Sequence, residues 1–150
     1  METLSDRIDL LKQTKLFENL SYEDAKVIAY TTTPRFFSDG EIVFEEGETG
    51  EEAFLITQGE VEIWKGAPGK NEVLIATIQK GELFGEMAII SEAPRTATVI
   101  TKGEVRTLVI NKEIFLDIIR DFPEVALGVM KTLVHRLITT DKLLVEAKQK

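Results

Sequence analysis

The chain is 150 residues long, which suits a single globular domain. It contains no cysteine and one histidine, His135, which excludes disulfides, thiolate metal sites and multi-histidine metal sites. The 26 acidic and 18 basic residues give a net charge of −8, which argues against nucleic-acid binding because that depends on many cationic contacts to phosphate. No apolar run approaches the ~20 residues of a membrane span. The acidic N terminus lacks the basic-then-apolar order of a signal peptide, so we expect a cytoplasmic protein without a membrane partner.

Helical patterns occupy the first 33 residues. Leu4, Ile8 and Leu11 recur at helical spacing, which predicts an amphipathic helix. Ser21 precedes acidic residues, a pattern typical of an N-cap and of a first turn that complements the helix dipole. We therefore expect helices within residues 1–33.

Turns and short strands dominate the middle of the chain. Nine of the ten glycines lie between Gly40 and Gly103, and the runs between them are rich in β-branched residues. This pattern predicts a β sandwich or barrel rather than a parallel sheet with crossover helices. The predicted strands are residues 41–44, 53–56, 61–64, 73–78, 97–100 and 105–110. Residues 65–71, which contain two glycines and a proline, are predicted to form a hairpin loop.

Helical patterns return after residue 110. Asn111 is placed to cap one helix, and Pro123 suits the first turn of a longer one. Residues along the longer helix recur at steps of three and four, the period of a coiled-coil seam. The pattern is about as typical of a helix packed on its own domain, so a homodimer seam and an intramolecular face both stay open. The seam residues are Met130, Leu133, Leu137, Thr140, Leu144 and Ala147.

Residues 81–99 combine the features of an anion-binding turn. Gly85 allows a close backbone approach, and the run after it is long enough for one or two helical turns, whose free amides can bind an anion. Arg95 follows Pro94, which fixes its own backbone, and a guanidinium suits a phosphate. Glu86 would repel an anion unless it accepts a hydrogen bond from a neighbouring sugar hydroxyl. Alone, each charged residue has a simpler explanation, as a complement to a helix dipole or a surface arginine; together they predict a sugar-phosphate site.

The same segment resembles a known motif. Residues 84–88 (Phe-Gly-Glu-Met-Ala) and 94–99 (Pro-Arg-Thr-Ala-Thr-Val) are similar to the phosphate-binding cassette of cyclic nucleotide-binding domains. The spacing from Glu86 to Arg95 also agrees with that cassette. The likeness continues in residues 16–20, 42–47 and 54–63 and covers roughly residues 14 to 145.

The resemblance implies a mostly β fold with flanking helices. The expected architecture is an antiparallel β jelly roll, or double-stranded β-helix, over residues 34–110, with the phosphate-binding cassette at residues 81–99. N-terminal helices precede it in residues 1–33, a short helix lies within the cassette, and C-terminal lid helices follow in residues 111–150. No linker or internal repeat interrupts the chain, which indicates one domain over residues 1–150.

The resemblance also implies a role for each site residue. Arg95 would pair with the cyclic phosphate, and Glu86 would accept a hydrogen bond from the ribose 2′-hydroxyl. The remaining implied contacts are amides of the anion cradle at Gly85, Met87, Ala88 and Thr96, an apolar wall of Phe84 and Val99, and purine contacts from Thr140 and Asp141 of the final helix.

The implied function is a non-enzymatic receptor whose ligand is a cyclic mononucleotide, with no metal and no cofactor. Thr96 suits either purine, and we expect cAMP in preference to cGMP. Binding would move the C-terminal helix and signal to an effector protein. The chain ends without room for a DNA-binding domain after that helix, and its start at Met1 favours a complete small protein over a fragment.

Two other functions compete with the receptor. A protein-interaction module of the same fold that binds no nucleotide is the alternative, but it has no need of both Glu86 and Arg95. An enzyme of the cupin kind shares the β architecture but uses clustered histidines around a metal, which one histidine cannot supply.

Overall fold

The computed structural model describes residues 3–67 and 70–149, which form five helices and six strands. The helices are α1 (Leu4–Gln13), α2 (Tyr22–Thr31), α3 (Glu86–Ser91), α4 (Lys112–Asp121) and α5 (Pro123–Gln149). The strands are β1 (Thr33–Phe37), β2 (Ile42–Phe44), β3 (Glu52–Ala67), β4 (Lys70–Gln79), β5 (Leu83–Phe84) and β6 (Thr98–Asn111). The sheet region is therefore flanked by helices and contains one short helix, α3.

The helix starts follow from their capping residues. At α1, Thr3 Oγ1 accepts from the Asp6 amide at 3.1 Å and Asp6 Oδ2 accepts from the Thr3 amide at 3.0 Å, which is a capping box. The side chain of Ser21 accepts an amide hydrogen bond at the start of α2, and that of Asn111 does the same for α4. The predicted caps Ser21 and Asn111 are confirmed, as is the start of the last helix at Pro123.

All strand pairs are antiparallel, in the order β1–β6–β3–β4, with β2 beside β6 and β5 beside β3. β3 and β6 pair along most of their lengths, with register shifts near Gln58. The first half of β3 pairs with β5 and with the second half of β6, which also pairs with β1. The second half of β3 pairs with β4 and with the first half of β6, which also pairs with β2. The expected mostly antiparallel β architecture is confirmed.

The division into short strands was wrong in two places. Residues 53–56 and 61–64 belong to the single strand β3, and residues 97–100 and 105–110 fall almost entirely within β6. The glycines between these runs were expected to end each strand. Instead the backbone continues to pair across them with a change of register, as it does at a β-bulge.

Apolar side chains form two cores, and the turn from β5 into α3 is attached to both. The first core joins the helices to the sheet, and its members include Leu11, Phe17, Leu108, Phe115 and Val129. The second lies among the strands, and its members include Phe54, Val61, Ile78, Phe84 and Val99. Leu83 and Ile89 belong to the first core, whereas Phe84 between them belongs to the second. The backbone around residue 85 is therefore held from two sides.

The first turns of α5 pack on the domain itself. Val125 and Val129 are buried, and Leu133 packs against the first core. Met130 and Leu137 are instead 55% and 62% exposed. The predicted seam is therefore divided between an inner face and an outer face. The side chains of its other members, Thr140, Leu144 and Ala147, lie outside the described residues.

Candidate ligand-binding site

The turn between β5 and α3 requires glycine at position 85. Gly85 has a φ of 84°, in the left-handed region, and forms the N-cap of α3. A Cβ there would lie 3.0 Å from Arg95 Nη1 and 3.1 Å from the carbonyl oxygen of Glu52. The missing side chain lets the backbone of this turn contact the guanidinium, which is the close approach expected from the sequence.

Arg95 is buried against carbonyl groups and an aromatic ring. Arg95 is 6% exposed. Its Nη1 donates to the carbonyl oxygen of Gly85 at 2.6 Å, and its Nη2 donates to that of Glu52 at 2.9 Å. The guanidinium carbon lies 3.9 Å from the centroid of the Phe44 ring, a favourable cation–π arrangement. Nε has no hydrogen-bond partner among the described residues. Burial lowers the pKa of the guanidinium, yet arginine stays protonated at neutral pH, so the site holds a positive charge with unused donor capacity.

The loop between β2 and β3 (residues 45–51) holds the main chain of Arg95. The Gly47 amide donates to the Arg95 carbonyl at 2.8 Å, and the Arg95 amide donates to the Glu48 carbonyl at 2.7 Å. The Glu46 amide donates to Thr98 Oγ1 at 3.0 Å just beyond the arginine. The backbone that carries Arg95 is therefore fixed independently of its side chain.

Glu86, the first residue of α3, is a buried carboxylate paired with the last helix. It is 1% exposed, and its Oε1 accepts from Arg136 Nη1 of α5 at 2.9 Å. Arg136 Nη2 also donates to the carbonyl of Leu83. Burial raises the pKa of the Glu86 carboxyl, while the positive charges of Arg136 and Arg95 oppose that rise. The carboxylate is therefore costly to bury, and α5 supplies its counter-charge.

Arg136 is a residue of the site that the sequence reasoning missed. It lies three residues after Leu133, which packs on the domain, so both fall on the same face of α5. A buried acid at the start of a short helix, together with an arginine on the inner face of a later helix, is the signal that could have identified it.

The structure brings together part of the predicted site. Four of the predicted residues are neighbours: Gly85, Glu86, Ala88 and Arg95. Arg95 donates to the carbonyl of Gly85, next to Glu86. Ala88 and Arg95 both border the space beside Gly50, because a Cβ at that position would overlap with each of them. The remaining predicted residues are more dispersed. Phe84 and Val99 are buried in the second core, Met87, Thr96 and Asp141 are exposed, and the side chain of Thr140 lies outside the described residues.

A cavity of about 560 Å³ opens beside Arg95 and Phe44. It lies between the loop of residues 45–51 and the start of α4, and half of the polar residues that line it are acidic. The carboxylates that line it are Glu48, Glu51, Glu52 and Glu113. Arg95 and Lys112 line the same cavity, and Glu52 is paired with Arg35 at 2.9 Å, so its negative charge is partly offset.

Glu92, which ends α3, has a strained backbone. Its φ of 56° and ψ of 27° lie in the left-handed region, which costs a residue with a Cβ about 1–2 kcal/mol. We expect Glu92→Gly to raise the free energy of unfolding by roughly 0.5–1 kcal/mol, because glycine removes the strain at some cost in chain entropy. Urea unfolding measures this change. Glu92→Ala is the control, since it removes the same exposed side chain and keeps the Cβ; equal stability of the two variants would contradict the expectation.

Two further features bear on the chemistry. Within residues 3–67 and 70–149, no group of three or more histidine, cysteine, aspartate or glutamate residues could hold a metal ion. In the same part of the chain, no helix has the length and apolar character needed to cross a membrane.

Comparison with known proteins identifies similar sequences. A family model described as the cyclic nucleotide-binding domain matches residues 34–122. The cAMP-dependent protein kinase regulatory subunit of Mycosarcoma maydis is 39% identical over 107 residues, 69% of this chain and 20% of that protein. The cGMP-dependent protein kinase 2 of Homo sapiens is 32% identical over 118 residues, 77% of this chain and 16% of that protein.

A solved structure shows the same fold. The crystal structure of the Thermus thermophilus Catabolite Activator Protein superposes with a TM-score of 0.76 at 28% identity, covering 89% of this chain and 62% of that one. The expected jelly roll is thereby confirmed. The chain spans less than two thirds of the length of each of these three proteins.

Proposed function

The chain belongs to the cyclic nucleotide-binding domain family, and we propose that it is a non-enzymatic receptor that binds cAMP in preference to cGMP. The observation that carries this proposal is the presence of two buried, oppositely charged residues at one turn. Glu86 begins α3, and Arg95 contacts the carbonyl of Gly85 immediately before it. A cyclic nucleotide offers a matching group to each, a ribose hydroxyl to the carboxylate and a phosphate to the guanidinium.

Phosphate binding would replace the carbonyl oxygens to which Arg95 donates with phosphate oxygens. In the structure Arg95 donates to the neutral carbonyls of Gly85 and Glu52, and Nε is unpaired within the described residues. Hydrogen bonds to an ionised acceptor are roughly twice as strong as those between neutral groups, so a phosphate oxygen competes well for the same donors. Backbone amides at Met87 and Ala88, in the first turn of α3, would complete the cradle.

Ribose binding would bring the ligand into competition with Arg136. The Glu86 carboxylate already accepts from Arg136 Nη1, and a ribose 2′-hydroxyl would donate to the same group. A ligand that shares or takes over this acceptor changes the contact between α3 and α5. This links the occupancy of the site to the position of the last helix.

Thr96 and the last helix would bear on the choice of base. Thr96 is exposed and available to contact a ligand, and Thr140 and Asp141 would approach the purine from α5. One similar kinase protein is named for cAMP and another for cGMP, at 39% and 32% identity. Both nucleotides therefore belong in the test, with cAMP expected to bind more tightly.

Calorimetric titration of the chain with cAMP and with cGMP tests the proposal. We expect saturable binding of one nucleotide per chain, tighter for cAMP. 5′-AMP, which has the same base and an open phosphate, is the matched control ligand. No binding of either cyclic nucleotide at millimolar concentration would contradict the receptor and favour an interaction module of the same fold.

Binding should weaken on mild acidification because of Glu86. Burial raises the pKa of this carboxyl above its ordinary value. The ionised carboxylate is a stronger hydrogen-bond acceptor for the ribose hydroxyl than the protonated carboxyl is. As the pH falls through the raised pKa, a growing fraction of free protein is protonated at Glu86 and must release that proton to bind. We expect the affinity for cAMP to fall between pH 7.5 and pH 5 (about three units above and just above an ordinary glutamate pKa).

Glu86→Gln is the control for this pH effect. The variant should bind more weakly at pH 7.5 and should show a flatter pH profile, because the amide does not titrate. An identical pH dependence in the wild type and in Glu86→Gln would exclude Glu86 as the titrating group.

We propose that α5 changes position on binding, with Arg136 as the link. The absence of cysteine in the natural sequence allows two cysteines, introduced at the exposed positions Lys80 and Lys142, to carry spin labels. We expect cAMP to change the distance between the labels, and Arg136→Ala to change it without ligand. An unchanged distance in both cases would contradict the movement.

The outer face of α5 would serve as a homodimer interface. Val134 and Leu137 are 56% and 62% exposed on this face, together with Leu127 and Met130. We expect sedimentation to give twice the chain mass of 16.8 kDa, either always or with cAMP bound. The double variant Val134→Glu, Leu137→Glu should remain monomeric. A monomeric wild type with and without cAMP would contradict the interface.

A further inference from the structure

We infer that Gly50 is a positioning residue for Arg95, because its missing side chain provides the space that the guanidinium occupies. The inference rests on the proposed role of Arg95 as the phosphate ligand. Gly50 is buried in the loop of residues 45–51 and does not have the left-handed φ that favours glycine. Its backbone conformation is open to other residues, so the reason for glycine has to be the space around it.

That space is filled by two residues of the candidate site. A Cβ at position 50 would lie 2.6 Å from the Cβ of Ala88 and 2.7 Å from both Cζ and Nε of Arg95. These separations are far inside van der Waals contact, so any side chain at position 50 forces a neighbour to move. Ala88 belongs to α3 and Arg95 to the segment that follows it. Gly50 is thus the point at which the loop, the helix and the arginine meet.

The guanidinium is the part that can move. The loop and the main chain of Arg95 are joined by two backbone hydrogen bonds, through Gly47 and Glu48, so they cannot separate without losing both. The Arg95 side chain is flexible by comparison. Displacing it removes the contacts with the Gly85 carbonyl and with the Phe44 ring, and turns the donors away from their present direction.

The inference predicts that Gly50→Ala lowers the affinity for cAMP by roughly tenfold, the effect of misplacing one charged donor group. The loss should act through Arg95. In an Arg95→Ala, Ala88→Gly background, where neither overlap remains, adding Gly50→Ala should therefore cause no further loss. Thr49→Ala, a change at the neighbouring loop position, is the control and should bind as the wild type does.

A second pair of variants separates the arginine contact from packing against α3. Ala88→Gly removes one of the two overlaps, so comparing Ala88→Gly with the double variant Ala88→Gly, Gly50→Ala tests the contact with Arg95 alone. The ¹⁵N resonance of Arg95 Nε, measured without ligand, reports the surroundings of the guanidinium. Gly50→Ala should shift this resonance, and Thr49→Ala should not.

The outcomes are distinct. A loss of affinity that needs Arg95, with a shifted Nε resonance, supports the inference. Wild-type affinity in Gly50→Ala, or an equal loss with and without Arg95, overturns it. If the wild type itself binds no cyclic nucleotide, the proposed function fails. The Nε resonance still tests the inference in that case, because an unshifted resonance in Gly50→Ala would show that Gly50 does not position Arg95.

Discussion

Arg95→Ala is expected to lower the affinity for cAMP by roughly 10- to 100-fold. A hydrogen bond to a charged group contributes about 1.5–3 kcal/mol, and each 1.4 kcal/mol is about a factor of ten. Arg95 is the buried cation that lies against Gly85, at the start of α3. Its removal leaves backbone amides as the remaining donors to the phosphate. Calorimetric titration at a temperature where the variant is folded measures the loss.

Arg95→Lys is the matched comparison. It keeps the charge but loses the planar pair of donors that reach the Gly85 and Glu52 carbonyls, so its affinity should be intermediate. Both variants also lose part of the contact with Phe44, so circular dichroism must show that each is folded before binding is compared. Wild-type affinity in a folded Arg95→Ala variant would exclude Arg95 as the phosphate ligand.

Phe84→Ala is expected to lower the free energy of unfolding by about 3–5 kcal/mol. Phe84 is 1% exposed, and its ring stacks on that of Phe54 with centroids 4.9 Å apart and planes 9° from parallel. The Phe44 ring lies 6.1 Å away from it. Truncation leaves a cavity in the second core, directly behind the turn that carries the site. Urea unfolding followed by circular dichroism measures the change.

Phe84→Leu separates packing in the second core from direct contact with a ligand. Leucine keeps much of the buried apolar volume but loses the ring stack with Phe54, so Phe84→Leu should cost less than Phe84→Ala if packing is the main requirement. The burial of Phe84 favours that role over direct contact with a ligand. An unfolding midpoint for Phe84→Ala equal to that of the wild type would contradict its place in the core.

The features that the sequence predicted well depend on neighbours along the chain. Ser21 and Asn111 cap helices through amides three residues later, a relation visible in the sequence. Gly85, Glu86 and Arg95 lie within eleven positions of one another, so their likeness to a known cassette could be recognised without a fold. Motifs of this kind combine residues whose spacing is set by one local turn.

The features that were missed depend on distant parts of the chain. Glu52 is 43 residues from Arg95, and Phe44 reaches it only because β2 and β3 pair with β6. Arg136 is 50 residues from Glu86 and meets it only when α5 packs on the domain. β5 has only two residues, too few for a sequence pattern to indicate a strand. Long-range packing therefore determined what the local pattern could not.

A crystal structure of the chain with cAMP tests the central claim most directly, because it shows which groups bind the ligand. We expect the guanidinium of Arg95 on a phosphate oxygen, the carboxylate of Glu86 on the ribose 2′-hydroxyl, and a changed contact between Glu86 and Arg136. A nucleotide bound elsewhere, with Arg95 still donating to the carbonyls of Gly85 and Glu52, would contradict the account.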